Sequence, residues 1–204
     1  NAGSTTAQTI TITDNESAPT VTLTSSASSI AENAGSSLTL TATLSVATTA
    51  DVTVGISTTG TGTEGTDYST ISDITISAGA TTGTASFTPS DDSVYEGNET
   101  GIVAISGVSG ADAAESGTQS VTITITDDDS APTVTLSTSA SSIAENAGSS
   151  LTLTATLSNP TTADVTVGIS TSGTGTEGTD YSTISDITIS AGATTGTASF
   201  TPTD

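Results

Sequence analysis

The residues from Ser17 to Asp91 recur from Ser130 to Asp204 at an offset of 113, with six differences over 75 aligned positions. The differing pairs are Thr24/Ser137, Ser25/Thr138, Val46/Asn159, Ala47/Pro160, Thr59/Ser172 and Ser90/Thr203. The flanks repeat as well. Thr11-Ile12-Thr13-Asp14 stands before Ser17-Ala18-Pro19, as Thr124-Ile125-Thr126-Asp127 stands before Ser130-Ala131-Pro132. A period this long marks a tandem array of domains, not a solenoid of short stacked units. Residues 1–16 therefore read as the last strand of a preceding repeat, 17–129 as a whole repeat, and 130–204 as the first two-thirds of another. With neither an initiating Met nor a signal peptide at Asn1, the chain is expected to be an interior segment of something longer.

Within the repeat, Val, Ile, Leu and Ala alternate with Thr and Ser in short runs, the period of a half-buried strand. Only 32% of residues are hydrophobic and 2% aromatic, so the core has to be built from small side chains. Alternation and turn residues place about seven strands, near 19–24, 37–44, 51–57, 71–77, 83–88, 100–106 and 118–126. Leu38, Leu40, Ala42 and Leu44 mark the inward face of the second, and Val121, Ile123 and Ile125 that of the last. Turns are signalled at Asn33-Ala34-Gly35, Thr59–Gly65, Ala78-Gly79 and Gly107–Gly110. No helical period competes. The predicted fold is all-β: tandem immunoglobulin-like antiparallel sandwiches. Tyr68, Tyr95, Tyr181, Phe87 and Phe200 read as core or loop anchors.

The charge is one-signed. There are 22 Asp and Glu, no Lys, Arg or His, and a net charge of −22. Nucleic acid and anionic membrane surfaces are excluded as partners, because both require cationic side chains. No apolar run spans a bilayer, and the absence of Cys removes disulfides from the argument. Enzymatic acid–base chemistry would rest on carboxylates alone, without an aromatic-lined pocket, so the chain is not expected to be an enzyme. Metal cations remain.

Up-and-down strands would bring the first, third and fifth connections and the end of the seventh strand to one pole. That pole collects Glu32, Glu64, Asp67, Asp91, Asp92, Glu96, Glu99, Asp127, Asp128 and Asp129, ten of the repeat's fourteen acids. Asp51, Asp73, Asp112 and Glu115 fall elsewhere and read as solvated loop carboxylates. Two carboxylates about 5 Å apart repel by roughly 3 kcal/mol at an effective dielectric of 20. Several such pairs rival a domain's stability of about 5–15 kcal/mol. Calcium suits the pole, since it takes roughly 6–8 oxygen ligands in flexible geometry. Zinc and copper would ask for His or Cys, and magnesium for a rigid octahedron. More than one calcium ion per pole is expected.

The motifs Ile30-Ala31-Glu32-Asn33-Ala34-Gly35, Gly65-Thr66-Asp67-Tyr68, Asp91-Asp92-Ser93-Val94-Tyr95-Glu96-Gly97-Asn98-Glu99-Thr100 and Ile125-Thr126-Asp127-Asp128-Asp129 occur in this order. In them the repeat resembles the Calx-beta domain of sodium–calcium exchangers and large bacterial surface proteins. The resemblance implies calcium ligands at Glu32, Asp67, Asp91, Asp92, Glu96, Asp127, Asp128 and Asp129. In the second copy it implies Glu145, Asp180 and Asp204. In the preceding one it implies Asp14 and Glu16, with Asn15 where the middle Asp would stand.

Asp129 runs directly into Ser130-Ala131-Pro132, so the acidic pole sits at a joint that proline stiffens. The expected role is a calcium-binding structural repeat in a stiff extracellular or cell-surface rod, an adhesin stalk or filament. The alternative is a calcium-sensing module that switches a partner domain. Thr-x-Thr runs such as Thr39-Leu40-Thr41 are ordinary outer strand faces, not an ice-binding surface. The expected partners are calcium ions and neighbouring repeats. Thr- and Val-rich edge strands also leave pairing with other copies in a filament open. The unfinished second copy is expected to be completed by a continuing array, with a neighbouring chain as the other way to close it.

Overall fold

The computed structural model describes residues 7–13 and 15–204. In the first copy, β1 (Thr20–Ser25), β2 (Ser29–Ala31), β3 (Leu38–Leu44), β4 (Val52–Gly60) and β5 (Ile74–Ile76) are followed by β6 (Thr82–Phe87), β7 (Glu99–Ser109), β8 (Ala114–Glu115) and β9 (Ser120–Thr126). They form two facing sheets, β6-β3-β1-β8 and β2-β9-β7-β4-β5. No helix occurs among the described residues. The fold is an all-β immunoglobulin-like sandwich.

The strands form where the alternation says they should. On β3, Leu40, Ala42 and Leu44 point into the core while the threonines between them do not. The inner faces of β1, β4, β5 and β9 contribute Val21, Leu23, Val52, Val54, Ile74, Ile76, Ile123 and Ile125. One aromatic pair completes this small-residue core: Tyr68 stacks on Phe87 with ring centroids 4.6 Å apart. Gly101 of β7 makes room for it, since a Cβ there would lie 2.7 Å from the Phe87 ring. Such a stack contributes about 0.5–1.5 kcal/mol beyond the area it buries.

Two strands escape the sequence pattern. β2 and β8 are three and two residues long, too short to show a period, and both are edge strands paired parallel to a neighbour. The segment expected as a strand over 71–77 narrows to Ile74–Ile76. Glu64 holds the residues before it, its carboxylate accepting from the Ile71 N–H at 2.7 Å and the Thr58 hydroxyl at 2.5 Å.

The second copy builds β10 (Val134–Thr138), β11 (Leu151–Leu157), β12 (Val165–Val167), β13 (Ile187–Ile189) and β14 (Thr195–Phe200). These make a three-stranded sheet β10-β11-β14 and a two-stranded one β12-β13. They are the counterparts of β1, β3, β6, β4 and β5. Residues 142–144, which match β2, form no strand. Between the copies, the Tyr95 N–H donates to the Pro160 carbonyl at 3.1 Å, and Tyr95 bridges to Thr161.

Candidate metal centre

Glu32 is placed by the short parallel pairing of β2 with β9. Ala31 stands opposite Thr126, and the Glu32 N–H continues the ladder to the Thr126 carbonyl at 3.0 Å. The next residues on the two strands, Glu32 and Asp127, thus emerge side by side. Gly35 takes the left-handed conformation, φ +59°, that turns the chain back after Glu32. Asp67 is brought to the same end because its carbonyl accepts from the Ser90 N–H at 2.9 Å, just before Asp91 and Asp92.

Asp127 organises the acidic loop. One carboxylate oxygen accepts from the N–H groups of Glu96 at 3.0 Å and Gly97 at 2.5 Å. The other accepts from the Asp129 N–H at 2.8 Å. Glu32 accepts from the Asp92 N–H at 3.2 Å, and Asp92 from the Val94 N–H at 2.7 Å. Asn98 accepts from the Asp127 N–H at 3.2 Å. These backbone donors fix the loops and leave further carboxylate oxygens facing one another.

Two trios result. Glu32, Asp92 and Asp129 bring one oxygen each to within 4.8 Å of one another, and so do Asp67, Glu96 and Glu99. Burial, followed by repulsion from Asp92, Asp127 and Glu96, pushes the Glu32 carboxyl up to about 7. Burial beside Asp67 and Glu96 pushes Glu99 up to about 7 as well. Glu96 and Asp129 are raised by the same causes, burial first and neighbouring carboxylates second. Asp129 Oδ2 is buried without a hydrogen-bond partner. An orphaned carboxylate oxygen amid like charges, in a chain without a basic side chain, fits a hard cation with oxygen ligands. The donor set suits calcium and offers nothing to a metal that prefers nitrogen or sulfur.

The Calx-beta domain profile matches residues 14–129 and again 127–197. This chain belongs to the Calx-beta domain family. Calx-beta domains are calcium-binding modules, regulatory or structural, and not an enzyme family. Among solved structures, the chain is similar to the apo-form Calx CBD1 domain at 18% identity, covering 54% of this chain and 99% of that one, TM-score 0.45. It is also similar to CBD12 from CALX1.2 at 17% identity, covering 85% and 72%, TM-score 0.44. A two-domain protein of unknown function from Bacteroides fragilis matches at 9% identity, covering 91% and 85%, TM-score 0.38. No curated protein matches.

The acids that the Calx-beta resemblance singled out divide into groups. Glu32, Asp92 and Asp129 meet in one trio, Asp67 and Glu96 in the other, and Asp127 holds the loop between them. Asp91 and Asp128 stand at the exposed rim, where the Asn33 amide donates to Asp128 at 2.5 Å. Glu99 was counted at the pole but not in the ligand set. Its signal was the spacing Glu96-Gly97-Asn98-Glu99: Gly97, at φ +74°, folds the loop so that both glutamates face Asp67.

In the second copy Glu145 and Asp180 line an open cleft and Asp204 is exposed. None of the three falls in an acidic trio among the described residues. Asp14 lies outside the described residues, and Glu16 is exposed. Three of the acids read as merely solvated are turn anchors instead. Asp51 accepts from the Ala78 N–H at 2.8 Å, Asp73 from Ile56 at 3.0 Å, and Glu115 from Gln119 at 2.5 Å.

Proposed function

We propose that this chain is a stretch of a calcium-stiffened extracellular rod, an adhesin stalk or surface filament. In this reading Glu32, Asp67, Asp91, Asp92, Glu96, Glu99 and Asp127 to Asp129 hold calcium where one copy hands over to the next. The observation that carries it is the bond from the Tyr95 N–H to the Pro160 carbonyl. Tyr95 lies between Asp92 and Glu96 in the acidic loop, so the order of that loop and the angle of the joint are mechanically linked.

The joint also has its own residues. Val46-Ala47 of the first copy becomes Asn159-Pro160 in the second. Pro160 supplies the accepting carbonyl, and the Asn159 amide donates to the Ser130 carbonyl at 2.9 Å. Bound calcium would supply the positive charge that these loops lack. Without it, repulsion among the trios opposes the loop geometry that reaches Pro160. Extracellular calcium modules work with dissociation constants of roughly 10⁻⁴–10⁻³ M, which suits a structural role outside the cell. Near-identical copies favour mechanical spacing over the switching of a partner.

The test is a thermal melt and small-angle scattering of the full chain, with and without millimolar calcium and with magnesium as control. Millimolar calcium is roughly one to ten times such a dissociation constant and contributes about 0.4–1.4 kcal/mol per bound ion. At about 4 °C per kcal/mol, Tm should rise by roughly 2–6 °C per ion with calcium only, and the largest dimension should increase. Glu32→Gln should remove most of both effects. An unchanged melt sinks the reading; stabilisation with a bend in place of extension favours the sensing module.

A further inference from the structure

Of the six differences between the copies, four exchange Thr and Ser. Only Val46/Asn159 and Ala47/Pro160 change the chemistry, and they are adjacent, in the loop that leaves β3 and β11. The pairing just before that loop is the same in both copies. Ser45 and Ser158 each donate their N–H to a threonine carbonyl, that of Thr20 at 2.8 Å and that of Thr133 at 3.0 Å. Each serine hydroxyl accepts the N–H of the same threonine at 3.0 Å. Past this point the copies part. Asn159 carries the pairing on toward the linker: its amide donates to the Ser130 carbonyl at 2.9 Å, while its Oδ1 accepts from the Ser158 hydroxyl at 2.8 Å. A valine side chain has no donor to offer there.

The linker is thereby tied at adjacent residues. Asp129 is held by the first copy, its N–H bound to the Asp127 carboxylate at 2.8 Å, and the next residue, Ser130, is held by the second. No residue stands between them to swivel. Pro160 adds a contact on the other side of the loop. Its ring fixes φ and restricts Asn159 to extended backbone. Its carbonyl accepts from the Tyr95 N–H at 3.1 Å. The following residue, Thr161, is anchored within the second copy, its carbonyl accepting from the Gly192 N–H at 2.9 Å. We infer that Asn159-Pro160 is a joint lock: this pair, and not the acidic loop alone, sets the angle between the copies, and Val-Ala at the same place makes a hinge. The inference deepens the rod reading of the joint, but neither bond of the lock uses a carboxylate. Asn159→Val would release at least Ser130 and Ala131 from the second copy. Pro160→Ala would keep the carbonyl and free its φ. The pair thus specifies which copy docks rigidly on its neighbour's acidic loop.

The test is pulsed electron paramagnetic resonance between two spin labels on the full 204-residue chain, which has no cysteine of its own. Thr39→Cys with Thr152→Cys places the labels at equivalent exposed positions of β3 and β11. The parent should give one narrow distance distribution. Asn159→Val with Pro160→Ala should widen it at least about twofold, because the released linker residues add freedom to the joint. Asn159→Leu, which removes the donor at similar size, should widen it less. The strands should survive both changes, since the first copy folds with Val46-Ala47 in this place; an unchanged far-ultraviolet circular dichroism spectrum checks that. Val46→Asn with Ala47→Pro, away from this joint, should leave the width as it is. A broad distribution in the parent, or equal widths in the parent and the doubly substituted chain, would overturn the inference. Repeating the measurement with chelator and with millimolar calcium keeps the lock apart from the rod reading. Widths that follow the swap but ignore calcium support the lock and count against ion stiffening. Widths that follow calcium but ignore the swap do the reverse.

Discussion

The two copies set nearly the same residues in two environments. Val21 is fully buried and Leu23 is 4% exposed, but their counterparts Val134 and Leu136 are 44% and 55% exposed. Local structure survives this change. β10 pairs with β11 in the same register as β1 with β3, and Tyr181 stacks on Phe200 at 4.7 Å as Tyr68 does on Phe87. What is lost depends on β7 and β9. The match to β2 forms no strand, the match to β4 shrinks from Val52–Gly60 to Val165–Val167, and Glu145 is exposed where Glu32 is buried. Strand identity is local information in these copies, but burial and the acidic site come from partners roughly thirty to a hundred residues away.

The sharpest way to break this comparison is excision. Residues 17–129 alone should unfold in one cooperative transition, and residues 130–204 alone should show none. Appending 92–129 after Asp204 should restore it, as differential scanning calorimetry would reveal. A cooperative melt of the excised second copy would mean that β7 and β9 are dispensable.

A smaller effect separates the equivalent aromatic residues. Phe87→Ala should cost about 3–5 kcal/mol, because it empties a closed core beneath Gly101. Phe200→Ala should cost markedly less, since its ring is only half-buried beside an open cleft. Urea unfolding of each variant in the full chain measures the difference. Equal losses would show that the second copy is closed in solution.

The smallest expected effect is a pH dependence confined to the first copy. Glu32 and Glu99 hold their protons up to about 7 when folded, against an ordinary value of 4.5. Between those values the folded state binds more protons than the unfolded one, so ion-free stability falls as pH rises through the window. The calcium-free melt should therefore climb by several degrees from pH 7.5 to pH 5. Glu32→Gln should flatten the slope, and Glu145→Gln should leave it unchanged. A calcium-free melt that falls toward pH 5 would contradict the crowding of these carboxylates.

Much of this was legible beforehand because it is periodic. Leu40, Ala42 and Leu44 alternate with threonine over a whole strand, and that period chooses the face before any partner is known. The pole was legible for a related reason: antiparallel order sends every second connection to the same end. β2 was not legible, because Ser29–Ala31 has a single inward residue, Ile30, and exists only against β9. Nor was the anchoring by Asp51, Asp73 and Glu115, since an acid in a loop looks alike whether or not a distant N–H meets it.

The sequence by itself determined the repeat, the all-β character, the family and the one-signed charge, because each rests on spacing along the chain. Only the tertiary structure decided which carboxylates meet: Asp129 with Glu32 and Asp92, and Glu99 with Asp67 and Glu96. It alone joined Tyr95 to Pro160. The physical reason is that repulsion, burial and strand pairing act through space. Two copies of one sequence therefore differ wherever their spatial neighbours differ.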